Sequence, residues 1–160
     1  MVEDKVAQLL YKTAIRALDI EKEISKNIET KAQRFVIFSG ILFSITSTYF
    51  FVFFDKSFDK IYLIVFIISL IVLVISIFFF TYTLKTYNYI SFDMEELIII
   101  AQDFDYNNLI KRLTGTFSDY ITERRVINNH KISFLDVGYV FFLISLISIV
   151  FGIVFSIFNV

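Results

Sequence analysis

Apolar residues gather in this chain in two ways. Three stretches, at positions 35–54, 61–84 and 137–158, are apolar throughout and hold no charged residue. A helix rising about 1.5 Å per residue crosses a hydrocarbon layer of about 30 Å in such a length. Between these stretches, apolar positions recur among charges at helical intervals. Val6, Leu10, Thr13, Ala17, Ile20, Ile24, Asn27 and Lys31 follow alternating steps of four and three. That is the spacing of a heptad seam. Ile110, Leu113, Phe117, Tyr120, Arg124, Ile127, Lys131 and Phe134 alternate in the same way and lead into the third stretch. The pattern predicts an all-α integral membrane fold, with three transmembrane helices continuous with a cytoplasmic helical stalk.

The expected organisation follows the chain. Positions 1–34 form a cytoplasmic heptad helix and 35–54 the first transmembrane segment. An external loop at 55–60 leads to the second transmembrane segment at 61–84. Positions 85–132 form a cytoplasmic helical hairpin, and 133–160 hold the third transmembrane segment and an external C-terminus. Within the hairpin, Ile90, Met94, Leu97 and Ala101 continue the helical spacing. The Asp- and Asn-rich run at 102–108 reads as its turn, because these side chains compete for backbone hydrogen bonds. The first and third helices are then parallel, with the second antiparallel to both.

Composition narrows the chemistry. Hydrophobic residues make up 57% of the chain and there is no Pro, Cys or Trp. The mean hydropathy is +0.72. Without Pro, little interrupts a helix. Without Cys there is no disulfide, thiolate metal site or cysteine nucleophile. No Gly-rich phosphate loop, paired His/Glu metal motif or nucleophile elbow is present, so neither an enzyme nor a cofactor is expected. Asp93, Glu95 and Glu96 are clustered but read as a solvated helix face. No basic groove with stacking aromatics points to nucleic acid. The absence of any ionisable residue within the apolar stretches argues against proton relays and ion-coupled carriers, which need such groups at depth.

Basic residues predict the orientation. Lys5, Lys12, Arg16, Lys22, Lys26, Lys31 and Arg34 precede the first stretch, and Lys85, Lys111, Arg112, Arg124, Arg125 and Lys131 lie between the second and third. Lys56 and Lys60 in the short loop are balanced by Asp55 and Asp59. The expected location is the plasma (inner) membrane, multi-pass, with the N-terminus cytoplasmic and the C-terminus external. The first apolar stretch, beginning only at Phe35, is expected to be a retained anchor rather than a cleaved leader.

Three sets of residues are candidates for function. Leu10, Ala17, Ile20, Ile24, Asn27 and Lys31 form the seam, which serves either a homo-oligomer or packing within one chain. Gly40, Ser44 and Ser47 (with Thr48), and Ser145, Ser148, Gly152 and Ser156, form small-residue stripes that suit close helix contact or line a pore. The second stretch has only Ser69 and Ser76 and is expected to face lipid. Lys26, Lys31, Arg34, Arg124, Arg125 and Lys131, with His130, suit an anionic ligand or a lipid headgroup at the inner boundary.

Glu29-Thr30-Lys31-Ala32, followed by apolar residues and Gly40, resembles the D-T-K-A lead into the first span of the small membrane effectors of Pycsar anti-phage systems. The first position here is Glu rather than Asp. The polar run from Tyr120 to Lys131 resembles their second lead-in, and the related SLATT effectors have a similar plan. The resemblance implies a signal-activated protein that compromises the inner membrane of an infected cell, with a cyclic pyrimidine nucleotide as trigger. The sequence holds no recognisable cyclic-nucleotide-binding domain. The trigger would therefore be a nucleotide second messenger, a separate cytoplasmic sensor protein or a different signal. Two further readings are a non-enzymatic membrane anchor or scaffold for a cytoplasmic partner, and a constitutive small channel. If the seam assembles copies of the chain, Ile24→Asp should lower the oligomer mass measured in detergent, because a seam carboxylate loses burial and must be desolvated. An unchanged mass would assign assembly to another face.

Overall fold

The computed structural model describes residues 2–53, 60–85 and 106–158. The described residues are helical. Helix α1 is Val2–Phe53, α2 is Lys60–Thr83 and α3 is Tyr106–Phe158. All three are long and apolar enough to cross a membrane. Positions 55–59 of the expected external loop, the expected helical stretch with Asp93, Glu95 and Glu96, and the 102–105 part of the expected turn lie outside the described residues. At the end of α2, Leu84 N–H donates to Thr81 O and Lys85 N–H to Tyr82 O, each at 3.1 Å. These tighter bonds use carbonyls that a helix end leaves unpaired.

The chain divides into two compact units. The described part of the first is 2–27 with 106–130; that of the second is 28–53, 60–85 and 131–158. In the first unit α1 and α3 run parallel. Tyr11 lies against Phe117, with ring centroids 5.7 Å apart. Further along, Glu21 meets Arg125 and Asn128. Leu18, Glu21 and Ser25 are buried on α1, as are Ile110 and Asn128 on α3.

In the second unit α2 runs antiparallel to α1 and α3. Phe35 stacks on Phe80 and Tyr49 on Phe66 between α1 and α2. Between α2 and α3, Ser76 Oγ donates to Gly138 O at 2.9 Å and Ser145 Oγ to Ser69 O at 3.0 Å. Leu73, Phe80 and Phe142 form the core, with Phe35, Val36, Leu42, Leu135 and Leu146 packed against it.

Each helix buries a heptad row in this unit. On α2 the row is Phe66, Ser69, Leu73, Ser76, Phe80 and Thr83. On α3 it includes Lys131, Gly138, Phe142, Ser145, Ile149 and Gly152. On α1, Ala32, Ser39 and Thr46 are buried at every seventh position. Large and small residues alternate along the α2 and α3 rows, the spacing of left-handed helix packing. The expectation that the second apolar segment faces lipid is overturned in part. Its outer side is apolar, but Ser69 and Ser76 sit in the helix contact, and no step of its inner row from Phe66 to Thr83 is exposed. Two isolated serines were a weak guide because Phe and Leu supply the rest of the packing surface.

Gly138 is where this packing is tightest. A Cβ built on it would lie 2.8 Å from Phe80 Cε1 and 3.2 Å from Phe79 Cβ. Phe80 is fully buried and held against Phe35, so its ring has little room to yield. Gly138→Ala should therefore destabilise the protein by about 1–3 kcal/mol despite the better helix propensity of Ala. Gly115, with open space around it, is the control: Gly115→Ala should gain up to about 1 kcal/mol. Thermal unfolding in detergent, followed by helical circular dichroism, measures both.

Candidate functional site

The most developed polar arrangement of the first unit is built around Glu21. Its position on α1 is one residue beyond the seam position Ile20, which turns it by about 100° onto the inner face. Its side chain is 9% exposed. On α3, Arg125 and Asn128 are one turn apart and both reach it. Arg125 Nε donates to Glu21 Oε1 at 3.2 Å. Asn128 Nδ2 donates to Glu21 Oε2 and to the Glu21 backbone oxygen, each at 3.0 Å. The carboxylate thus gains two donors in place of water, which is what a buried charge requires. Asn128 Oδ1 is buried without a hydrogen-bond partner.

These three groups hold α1 and α3 in one axial register. A buried carboxylate facing an amide and a guanidinium fixes alignment better than interchangeable apolar contacts do. Arg125 is itself 65% exposed, so its charge contributes less than its proximity suggests. Nearby, burial chiefly pushes the Tyr120 phenol above its ordinary range; Glu123 adds to the shift and Arg124 opposes it. Tyr120 therefore stays neutral at physiological pH.

In the second unit, Lys131 is buried on α3 and pairs with Glu29 of α1. This places one candidate for an anionic ligand inside a helix contact, where it does not present its ammonium to headgroups. The other basic candidates divide between the units. Lys26 is exposed, Arg124 half-buried and Arg125 engaged with Glu21 in the first, where His130 is exposed; Lys31 and Arg34 are exposed in the second.

The seam positions lie on the outer side of α1. Leu10, Ile20, Ile24 and Asn27 are exposed and Ala17 is half-buried; Lys31, further on, is exposed. The inner face uses the next column, Leu18, Glu21 and Ser25. The two stripes differ. Ser145 and Gly152 are buried and Ser148 half-buried, whereas Ser44 is exposed and Gly40 and Ser47 are half-buried. Ser44 Oγ donates to Gly40 O of its own helix at 3.0 Å. The Ser156 side chain lies outside the described set.

Glu21, Asn128 and Glu29 are absent from the sequence-derived candidates. The available signal was the recurrence of small residues at Ser25, Ala32, Ser39 and Thr46, which marks the column beside the apolar seam as the inner one. Among the described residues no group of His, Asp and Glu is arranged to hold a metal ion. Comparisons with family models, with curated proteins and with solved structures found no match.

Asn128→Ala should cost about 2 kcal/mol, because it leaves a buried carboxylate oxygen without its donor. Arg125→Ala should cost less than about 1 kcal/mol. Thermal unfolding of the two variants gives the order. A double-mutant cycle between positions 21 and 128 should show coupling of about 1–3 kcal/mol.

Proposed function

We propose that the protein is a non-enzymatic, oligomeric inner-membrane effector that permeabilises or disrupts the membrane when a cytoplasmic signal reaches its water-facing helices. The biological setting is antiviral defence of the abortive-infection type. In this reading the three long apolar helices cross the bilayer, with the N-terminus inside and the C-terminus outside, as the basic residues require.

The observation that carries the reading is the outer face of α1 in the first unit. Val6, Leu10, Ile20 and Ile24 are at least one-third exposed along the two rows of one heptad seam, although this part of the helix is rich in charge. Apolar side chains repeating in a heptad among charges suit another helix better than water. A second copy of the chain supplies that helix, since the row is complementary to itself in a parallel pair. Asn27 in the row favours a defined register and copy number. The resemblance of Glu29-Thr30-Lys31-Ala32 and of the run from Tyr120 to Lys131 to Pycsar-type leads supplies the setting and the candidate trigger, a cyclic pyrimidine nucleotide.

Induced expression in bacterial cells loaded with a membrane-potential dye tests the proposal. Depolarisation should follow addition of cyclic pyrimidine nucleotides, or phage infection, and be weak before either. Persistent polarisation with folded, inserted protein would sink it. A stable co-purifying partner without ion flux would favour the scaffold reading. Conductance in reconstituted vesicles without any signal would favour a constitutive channel.

A further inference from the structure

The helices of the second unit are not joined alike. Helices α2 and α3 are keyed to one another by shape and by hydrogen bonds. Phe80 fills the notch at Gly138, and Phe66 lies against Gly152, where a built Cβ would be 3.2 Å from its ring. Ser76 and Ser145 each donate across to a backbone oxygen of the other helix. A slide of one heptad would bring Ser145 to the place of Gly138, where even a Cβ does not fit. This pair therefore has one register.

Helix α1 is joined by other means. Thr46 is buried, yet its hydroxyl donates to Leu42 O of its own helix at 2.7 Å. Ser39 Oγ is buried without a partner. Phe35 meets Tyr139 and Phe142 of α3 through ring contacts, with centroids 5.5 and 5.9 Å apart. Ring packing of this kind tolerates displacement more readily than a Phe set in a Gly notch. Within this unit α1 and α3 also share an ion pair, Glu29 with Lys131.

The two partners are unequally placed. The Lys131 side chain is 1% exposed and that of Glu29 38%. A buried ammonium whose partner withdraws is strongly unfavourable. Glu29 can withdraw into water, whereas Lys131, in the buried row of α3, reaches water only if the neighbouring helix moves aside. We propose that the Glu29–Lys131 pair is a latch: while it holds, α1 stays docked, and when it breaks, α1 separates from a pair of helices, α2 and α3, that remains together. The latch rests on the effector reading only for what the separation accomplishes.

The chain has no Cys, so introduced cysteine pairs report helix separation cleanly in the full-length protein in vesicles. Phe35→Cys with Tyr139→Cys reads the α1–α3 contact, and Tyr82→Cys with Phe134→Cys reads the α2–α3 contact, where the rings lie 4.6 Å apart. A short bis-methanethiosulfonate supplies the bridge, each cysteine thiolate displacing one methanesulfinate to form a disulfide with the linker. Glu29→Lys, which sets two cations against each other, should lower the α1–α3 yield at least fivefold and leave the α2–α3 yield unchanged. The swap of Glu29→Lys with Lys131→Glu should restore at least half of the lost yield. An unchanged α1–α3 yield, an equal fall in both yields, or no rescue by the swap overturns the latch. The yields need no activity. If α1 separates as expected while a potential dye in the same vesicles reports no leak, the latch stands and the effector reading fails.

Discussion

Close approach through small side chains is the constraint on which the second unit depends. Gly138, Ser145 and Gly152 on α3, and Ser69, Ser76 and Thr83 on α2, recur at every seventh position of buried rows. Between them stand Phe66, Leu73 and Phe80 on α2, and Phe142 and Ile149 on α3. Large residues of one helix fill the spaces left by small residues of the next. In lipid, where apolar surface gains little by leaving the solvent, such packing and the hydrogen bonds it permits supply the attraction between helices. Ser76 reaches Gly138 O because the missing side chain of Gly138 lets the helices come close. The bond and the notch are thus one feature.

The first unit is held by other physics. Its two described helical segments bury few large apolar residues, and the contact closes on Glu21, Arg125 and Asn128 instead. A buried carboxylate is a poor source of net stability, because desolvation offsets most of its attraction to a partner. It discriminates between registers, because a slide of one turn removes at least one of the two donors, Arg125 and Asn128, from its carboxylate. Shape sets alignment between α2 and α3, while polar groups set it between α1 and α3 in each unit.

Sequence reading reached the features that one helix carries alone. Charge-free runs located the apolar parts of all three helices, since a single charge in such a run is costly and therefore conspicuous. The heptad on α1 was legible too, but it names the outer column. Leu10, Ile20 and Ile24 are apolar and exposed, and their spacing alone left open whether the seam packs within one chain or against another copy. The inner column at Glu21, Ser25, Ala32 and Ser39 is polar or small and draws no notice by hydropathy. Pairing between distant positions was not legible, because nothing local in Glu21 or Glu29 announces Asn128 or Lys131 more than a hundred residues later. Gly138 stands seven residues before Ser145 and extends that stripe, but the residue that fills its notch, Phe80, was not legible from the spacing.

These two columns give α1 a double character. In the second unit its inner side carries Phe35, Val36 and Leu42 beside the small residues Ala32, Ser39 and Thr46, and the Thr46 hydroxyl donates within its own helix. Its outer side in the first unit is apolar, heptad-spaced and exposed. A helix optimised only for its own chain would carry its apolar residues inward, because each large side chain moved out of water stabilises the fold by about 1.5–3 kcal/mol. Placing Val6, Leu10, Ile20 and Ile24 outward forgoes that gain within the chain and leaves it available to the proposed assembly. The helix with the apolar outer row is also the one bound to its neighbour by an ion pair rather than by interlocking shape. In the proposed assembly, association on one side and release on the other would act on the same helix, which is the minimum a signal-responsive device requires: an element with two alternative sets of contacts, biased by whichever is strengthened.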